Sequence, residues 1–240
     1  MKRGSLREFV RRRFSPEEAV GLSFTISFLV AAGLAVAIGL LAHEVRKGGG
    51  WQESLDVWAS ETLVGLRSPR MNATMLAITS LGDQRFLIVA TPLVAGALWL
   101  RRRHVSSILF ALSVLGGLGL NVILKITIGR ARPDRWAVLV SETSPSFPSG
   151  HTLMATVFFG ALAATVFHIT RRRPPRILAV ALAAVVVLGV ACSRVYLGAH
   201  WATDTLAGIL AGSIWVVMYE ATAASVTRLR DRRLGDAESP

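Results

Sequence analysis

Six apolar stretches, separated by charged segments, run through this 240-residue chain and constrain its fold more than any other feature. A helix needs about 20 residues to cross a bilayer, and most of these stretches approach that length. A backbone in hydrocarbon must satisfy its own hydrogen bonds, and the stretches do not alternate apolar and polar residues, so they predict helices rather than barrel strands. The expected fold is an all-α bundle of six transmembrane helices at about residues 19–42, 86–100, 105–128, 152–170, 177–191 and 201–222.

Basic residues are concentrated between the apolar stretches, and this pattern gives the predicted bundle an orientation. Six crossings place four basic clusters on one side, which is expected to be the cytoplasm because Lys and Arg accumulate in cytoplasmic loops. Both termini would then be cytoplasmic, and residues 44–85, 129–150 and 193–200 would face the outside. The clustering argues against nucleic acid as a partner, since a nucleic-acid surface gathers its cations on one face. The clusters are Lys2 to Arg13, Arg101 to Arg103, Arg171 to Arg176 and Arg228 to Arg233.

Residues 51–82, between the first two predicted crossings, have the pattern of an extracytoplasmic amphipathic hairpin. Leu55 and Leu63 belong to an apolar series at helical spacing with polar residues between its members, which is typical of a helix in the membrane interface. Pro69 is expected to end this helix, and a second short helix is predicted from about Met71 to Ser80. Two roles are open for the hairpin: a lid or head-group guide over a site, or a connector packed on the outer helix ends.

The chain is predicted to form one membrane domain, residues 1–228, with a charged and disordered cytoplasmic tail at 229–240. Its one cysteine, Cys192, excludes a disulfide framework within the chain, and we interpret it as a small buried apolar residue. Gly208 and Gly212 form a G-x-x-x-G pattern, which is expected to serve packing within the bundle rather than dimerisation. The pattern is too common to fix an oligomeric state.

Three short polar clusters lie where apolar stretches end, all on the predicted outer side. They read K-x6-R-P, P-S-G-H and S-R-x5-H-x3-D. Phosphoryl transfer requires positive charge around the phosphoryl oxygens, a nucleophile and a proton for the leaving oxygen, and the clusters contain residues for each requirement. Their residues are Lys125, Arg132 and Pro133; Pro148, Ser149, Gly150 and His151; and Ser193, Arg194, His200 and Asp204.

The expected phosphate-binding groups are cations and a helix amino terminus. Arg132 and Arg194 can hold a phosphate in bidentate fashion, whereas Lys125 acts as a compact point charge. Ser149 and the backbone amides near Gly150 precede a predicted helix, so their N–H groups and the helix dipole favour an anion there.

The two motif histidines are expected to divide the nucleophile and proton-donor roles. Asp204 follows His200 by four residues, which places both on one helix face, where the carboxylate can accept the Nδ1 proton and leave Nε2 free to attack. His151 has no carboxylate nearby in the sequence and is expected to be the general acid. A structural alternative is that Asp204 only forms an ion pair with Arg194.

The order and spacing of these clusters resemble the three-part signature of the type 2 phosphatidic acid phosphatase (PAP2) and vanadium haloperoxidase superfamily, in particular its small bacterial integral-membrane lipid phosphatases. Every fixed position matches. The resemblance implies that His200 is the nucleophile, that Asp204 orients it and that His151 protonates the leaving group. It also implies that no metal or other cofactor is needed, and that phosphate is bound by Lys125, Arg132, Ser149, Gly150 and Arg194.

The remaining ionisable residues are interpreted as interfacial. Lys125 and Arg132 also have a possible snorkelling role, but function is favoured because ionisable residues at such depth are costly without one. Arg130 and Arg135 stand outside the matched positions and are assigned to snorkelling. Three histidines near helix ends lack matching neighbours and are assigned to the interface rather than to a metal site: His43, His104 and His168.

The sequence accordingly predicts a metal-independent lipid phosphatase in a bacterial cytoplasmic membrane, with its site on the extracytoplasmic face. The substrates implied by the resemblance are undecaprenyl pyrophosphate, phosphatidylglycerol phosphate, phosphatidic acid or diacylglycerol pyrophosphate. Two alternatives stay open. One is a transferase that passes the phosphoryl group from the same phosphohistidine to another lipid, and the other is a phospholipid binder or transporter, against which the paired histidines argue.

Overall fold

The computed structural model describes residues 19–140 and 142–237, with side chains from Thr25 to Val226. Within these residues the chain forms eight α-helices and no β-strand, so the predicted all-α class is confirmed. The helices are α1 (Ala19–Lys47), α2 (Trp51–Gly65), α3 (Pro69–Ser80), α4 (Gln84–Leu100), α5 (His104–Ile128), α6 (Gly150–Ile169), α7 (Arg173–Tyr196) and α8 (Ala202–Ala237).

Five helices, α1, α5, α6, α7 and α8, each contain a segment long and apolar enough to cross a membrane. The remaining predicted crossing, at about 86–100, falls on α4, which reaches the length of a span only together with α3, across a bend of 49°. The bend lies at Leu81 to Asp83, where the Asp83 carboxylate accepts a hydrogen bond from the Arg85 N–H at 2.7 Å and caps α4. The sixth candidate is therefore a bent pair of helices, whose length and composition fit a broken span or a re-entrant loop.

Helix α6 is the centre of the bundle and packs against α5, α7 and α8. Its Leu153, Val157 and Phe158 are buried, and the Phe158 ring packs edge-on against Phe86 and Phe110. Large apolar side chains cover the outside instead, among them Phe28 at 66% and Val185 at 68% exposure. An apolar exterior around a packed interior suits a surface that contacts lipid tails.

Two glycines let α8 approach α6 closely. A Cβ atom at Gly208 would lie 2.8 Å from the carbonyl oxygen of Ser149, and one at Gly212 would lie 2.5 Å from Cβ of Thr156. The glycines therefore serve packing within the bundle, as expected for this pattern. The contact brings the start of α8 next to the start of α6.

Helix α2 turns its polar side toward the bundle, where Gln52, Asp56 and Ser60 are buried. Trp51 and Trp58 are exposed on its other side. The helix packs against α7 and α8, and α3 packs against α7. The hairpin is therefore joined to the bundle through polar contacts, with its aromatic side chains directed outward.

Two sequence expectations need correction. Cys192 is exposed rather than buried, because it lies on the outer side of α7. The backbone after Arg228 continues as helix α8 to Ala237 instead of forming a disordered tail, since an established helix extends at little cost through good helix formers such as Arg and Leu.

The basic connections lie at one end of the bundle. Arg101 to Arg103 join α4 to α5, and Arg171 to Arg173 join α6 to α7, both at the end opposite to the motif clusters. This separation agrees with the predicted distribution of charge. The basic cluster at Lys2 to Arg13 lies outside the described residues, as do the side chains from residue 227 onward.

Candidate active site

Four helix ends and one loop meet at the same end of the bundle. Helix α5 ends at Gly129, whose φ of 63° is left-handed, and helix α7 ends in a turn in which the N–H groups of Ala199 and His200 donate to the carbonyl of Arg194. The N–H of Ser149 donates to the carbonyl of Asp204 at 2.9 Å, which links the starts of α6 and α8. The three sequence clusters are thereby brought together.

His200 is buried, with 1% of the residue exposed, and both ring nitrogens have defined neighbours. Nδ1 lies 2.8 Å from the carbonyl oxygen of Ser146, which can only accept a hydrogen bond. The proton therefore belongs on Nδ1, and the Nε2 lone pair accepts a hydrogen bond from Nη1 of Arg132 at 3.3 Å. This is the tautomer that a nucleophilic imidazole requires, and Nε2 becomes free to attack when the Arg132 N–H turns to another acceptor.

Asp204 supports His200 less directly than the sequence suggested. Its Oδ2 atom lies 3.6 Å from Nδ1 of His200, so the nearest acceptor for the Nδ1 proton is the backbone carbonyl rather than the carboxylate. Oδ2 instead accepts hydrogen bonds from the N–H of Trp201, at 2.9 Å, and from the hydroxyl of Ser146. A carboxylate in the first turn of α8 is also favoured by the helix dipole.

The environment of His200 favours its neutral form. Burial lowers the pKa of the imidazole from the usual value of 6.5, and the positive charges of Arg194 and Arg132 lower it further. The negative charge of the nearby Asp204 carboxylate opposes the shift of this pKa without reversing it. The ring is accordingly unprotonated at neutral pH.

Two motif cations hold the loop that follows Ser141. The Lys125 ammonium donates to Oγ of Ser144 at 2.6 Å and to the carbonyl of Pro145 at 3.2 Å. Arg132 donates from Nε to the carbonyl of Ser144 at 2.8 Å and from Nη1 to the carbonyl of Ala199 at 2.6 Å. Arg132 therefore lies beside His200, and Lys125 holds the same loop through Ser144 and Pro145.

Glu142 occupies the space between the cations. Its Oε1 atom lies 2.7 Å from Nη2 of Arg194 and 3.7 Å from Nδ1 of His151, and its Oε2 atom lies 3.5 Å from Nη2 of Arg132. Burial alone would raise the pKa of this carboxyl, but the charges of Arg194, His151 and Arg132 lower it below the usual 4.5. The Glu142 carboxylate therefore lies where Arg132, Arg194 and His151 converge. Arg194 forms its ion pair with Glu142 and not with Asp204, the partner suggested as an alternative from the sequence.

His151 lies between two carboxylates that the sequence did not place near it. Its Nε2 atom is 3.5 Å from Oδ2 of Asp83, and its Nδ1 atom faces Glu142. The bend between α3 and α4 brings Asp83 to His151, because Gly82 packs so closely that a Cβ atom there would lie 2.5 Å from the His151 carbonyl oxygen. The fold therefore brings two carboxylates to His151, although none is close to it in the sequence.

Ser149 and Gly150 lie at the start of α6, in positions that packing already explains. Ser149 is fully buried, and its Oγ accepts hydrogen bonds from the Thr152 side chain at 3.0 Å and from the Thr152 N–H at 3.5 Å. A Cβ atom at Gly150 would lie 3.1 Å from Nδ2 of Asn121 and 3.4 Å from Cε of Lys125. The role of both residues as phosphate ligands stays a prediction.

Arg130 does not snorkel to the membrane surface, and this interpretation of its side chain is wrong. Its guanidinium lies 2.6 Å from Asp204 and 2.7 Å from Asp56 instead of extending to the surface. In the sequence, the only indication that Arg130 contacts these carboxylates is its position two residues before Arg132. Arg135 is exposed, and His168 pairs with Glu220 at 3.0 Å, at the opposite end of the bundle.

These features describe an apolar helical bundle with two histidines, two arginines and a buried carboxylate gathered at one end. The PAP2 superfamily model matches residues 106–226. The chain is 32% identical to phosphatidylglycerophosphatase B of Bacillus subtilis over 181 residues, which is 75% of this chain and 89% of that protein. It is also 27% identical to decaprenylphosphoryl-5-phosphoribose phosphatase of Mycobacterium tuberculosis, over 68% of this chain and 87% of that protein.

The fold is likewise similar to a solved structure. The crystal structure of the transmembrane PAP2-type phosphatidylglycerolphosphate phosphatase of Bacillus subtilis matches with a TM-score of 0.73 and 28% sequence identity, covering 82% of this chain and 96% of that chain. The chain therefore belongs to the PAP2 superfamily and is a membrane lipid phosphatase of that type.

Proposed function

We propose that this chain hydrolyses the terminal phosphate of a membrane lipid through a phosphohistidine on His200, without a metal ion. The observation that carries the proposal is the state of the His200 ring. Its Nδ1 proton is held by the Ser146 carbonyl at 2.8 Å, and its Nε2 lone pair lies beside Arg132 in a buried setting. Recognition of an anion requires no such orientation of a neutral imidazole, whereas nucleophilic attack does.

Binding would begin with exchange of one anion for another. Glu142 lies against Arg132 and Arg194, so a phosphate that binds both guanidinium groups must displace its carboxylate. The two forks can each hold phosphoryl oxygens in bidentate fashion, and Lys125 adds a point charge. The terminal phosphoryl group would then lie next to Nε2 of His200.

In the first chemical step, Nε2 of His200 attacks phosphorus, a P–N bond forms and the bond from phosphorus to the leaving oxygen breaks. His151 donates its proton to that oxygen. The incoming phosphate favours the protonated form of His151 by adding negative charge beside it, while Asp83 already faces its ring. Asp204 stabilises the positive charge that develops on His200.

In the second step, water attacks the phosphohistidine. His151, now neutral, accepts a proton from this water. The P–N bond breaks, its electron pair returns to Nε2 of His200, and inorganic phosphate is released. The two histidines and the cations end in their initial states. One lipid phosphate and one water thus give one lipid product and one phosphate.

A lipid would reach the site sideways through the groove between α4 and α5. This groove has a volume of about 560 Å³ and is lined mainly by apolar side chains such as Leu87, Ile88 and Leu118. Its lining begins at Gln84, the neighbour of Asp83, whose carboxylate faces His151. A larger apolar groove of about 660 Å³ lies between α6, α7 and α8, and neither groove has a phosphate-binding cation in its lining, so the choice rests on the position of Gln84 beside Asp83.

We assign the site to the extracytoplasmic face, with the basic connections and both termini in the cytoplasm. The arginines at 101–103 and 171–173 lie at the end of the bundle opposite to the site, which supports this orientation. The hairpin of α2 and α3 would then lie at the outer surface, where its exposed Trp51 and Trp58 suit the membrane interface.

The relatives favour two substrate classes, the phosphomonoester of a glycerophospholipid and the phosphate of a polyprenyl lipid. Among the four lipids that the sequence suggests, phosphatidylglycerol phosphate is the first choice, because the phosphatidylglycerophosphatase is similar over three quarters of this chain. The other three are undecaprenyl pyrophosphate, phosphatidic acid and diacylglycerol pyrophosphate.

The test is release of inorganic phosphate by the purified full-length chain in detergent, measured for each of these four lipids with EDTA present. We expect turnover that EDTA does not reduce and that His200→Ala abolishes. Activity that is lost with EDTA and restored by Mg²⁺ would contradict the mechanism. Comparing free phosphate with newly formed phospholipid separates hydrolysis from transfer to a second lipid.

A further inference from the structure

Arg130 joins two carboxylates that come from distant parts of the chain. Its Nη1 atom lies 2.6 Å from Oδ1 of Asp204, and its Nη2 atom lies 2.7 Å from Oδ2 of Asp56. The side chains of Asp204 and Asp56 are 0% and 2% exposed, so the guanidinium is the counter-charge of two buried anions. Isolated buried carboxylates would be very costly, and this pairing is what permits both.

Asp56 also holds the first turn of the helix that carries Asp204. Its Oδ1 atom accepts a hydrogen bond from the N–H of Thr203 at 2.8 Å, and its Oδ2 atom accepts one from the Thr203 hydroxyl at 2.8 Å. The same hydroxyl accepts a hydrogen bond from Nη1 of Arg130 at 2.8 Å. Helix α2 is therefore fastened to the start of α8, one residue from the carboxylate behind His200.

We propose that Arg130 and Asp56 are positioning residues for Asp204, through which the α2–α3 hairpin fixes the orientation of the nucleophile. The inference rests on the proposed role of His200 and Asp204. Neither Arg130 nor Asp56 needs to contact the substrate. Arg130 holds Oδ1 of Asp204, which leaves Oδ2 on the side of His200, 3.6 Å from Nδ1.

The geometry favours positioning over a purely structural ion pair. A buried ion pair is weak evidence for stability, because desolvation offsets most of the attraction between its charges. Here, however, the two nitrogen atoms of one rigid fork each address a different carboxylate, which an ammonium on a flexible stem does not reproduce. The arrangement therefore fixes the orientation of the Asp204 carboxylate, with Oδ1 on Arg130 and Oδ2 toward His200.

The test begins with Arg130→Lys and Asp56→Asn, measured as full-length proteins in detergent with a short-chain phosphatidic acid. We expect each to lower kcat by about 10- to 100-fold with KM within about twofold of the parent, as for other residues that orient a catalytic group. Arg130→Gln should lose more than Arg130→Lys, since the lysine keeps the charge. The matched control is Arg135→Lys, an exposed arginine on the same loop, which should leave kcat unchanged.

A second measurement separates positioning from stability. In an Asp204→Asn background, single-turnover rates should fall less than about twofold on adding Arg130→Lys, because a residue that acts through Asp204 has nothing left to orient. An equal loss in both backgrounds would overturn the proposal, as would unchanged kcat in both single variants. Thermal unfolding checks that the variants fold, and if neither folds, the network is structural and the proposal is wrong. If His200→Ala stays active, the proposed function fails instead.

Discussion

The two histidines of the site differ in how the fold holds them. The side chain of His200 is 1% exposed, and its Nδ1 contacts come from the Ser146 carbonyl and Asp204. The side chain of His151 is 19% exposed and faces Glu142 and Asp83, with the nearer ring contact at 3.5 Å. One ring is fixed by short contacts in a dry interior, and the other lies among charges at longer distance.

The difference matches the two tasks that we propose for these histidines. A nucleophile needs one tautomer and one direction of attack, which a backbone carbonyl sets at 2.8 Å. A group that gives a proton in one step and accepts one in the next needs neighbours that tolerate both states. Both partners of His151 lie outside the helices, Glu142 in the loop before α6 and Asp83 at the bend between α3 and α4.

The largest expected effect on activity comes from removing the His200 ring. His200→Ala should reduce phosphate release by about 10⁴-fold or more, since removing a nucleophile eliminates the covalent route. The matched control is His104→Ala, which changes a histidine packed on Trp99 at the opposite end of the bundle and should keep normal turnover. Equal losses in the two variants would contradict the assignment of the nucleophile.

Removal of the second ring should have a smaller effect that depends on the leaving group. His151→Ala should lower kcat by about 10²- to 10⁴-fold with a lipid alcohol as the leaving group, which needs a proton. With p-nitrophenyl phosphate the loss should be much smaller for formation of the phosphoenzyme, because nitrophenolate leaves without one. Steady-state and burst kinetics on both substrates measure this, and equal burst-phase losses would show that His151 is not the acid.

Glu142→Gln probes the charges around His151. The variant removes the anion that competes with phosphate for Arg132 and Arg194, so the inhibition constant of orthovanadate should fall by about threefold to fivefold, in line with the small energies of partly exposed ion pairs. Asp134→Asn, an exposed carboxylate on the same loop, is the control. Weaker vanadate binding in Glu142→Gln would mean that Glu142 assists the anion rather than competing with it.

The smallest expected effect concerns pH. Because the pKa of His200 lies below 6.5 in the folded chain, the nucleophile stays unprotonated down to more acidic pH than a free imidazole. The ascending limb of kcat/KM, corrected for ionisation of the substrate, should therefore lie below pH 6.5. Asp204→Asn should move the limb to still lower pH, since the carboxylate is the neighbour that raises the pKa of His200. A limb above pH 6.5 would contradict the buried, neutral nucleophile.

The sequence predicts the helices well where they are long and uniformly apolar. The bounds expected for the third stretch, 105–128, agree with α5 to one residue, because an apolar run in a membrane ends where charge begins. The bounds expected for the fifth stretch, 177–191, are too short, because α7 runs from Arg173 to Tyr196. Its first and last turns contain charged and polar residues. Such residues are compatible with a helix that ends at the membrane surface.

The site was predictable only where its residues sit in spaced motifs. Lys125, Arg132, Arg194, His200 and Asp204 come to the same end of the bundle, because four of them lie at or next to helix ends on that side and Arg132 lies in the loop after α5. Glu142 and Ser146 were missed because residues 129–149 have no periodicity that fixes a loop conformation. The role of Arg130 was missed because one of its partners, Asp56, is 74 residues away in the hairpin.

The most direct test of the account is to trap the covalent intermediate. Purified protein is mixed with ³²P-labelled phosphatidic acid and quenched within milliseconds, and the labelled residue is located by peptide mass spectrometry. The account predicts an acid-labile, alkali-stable phosphoryl group on His200 of the parent chain and none in His200→Ala. Label on another residue, or turnover with no phosphoenzyme at any quench time, would contradict it.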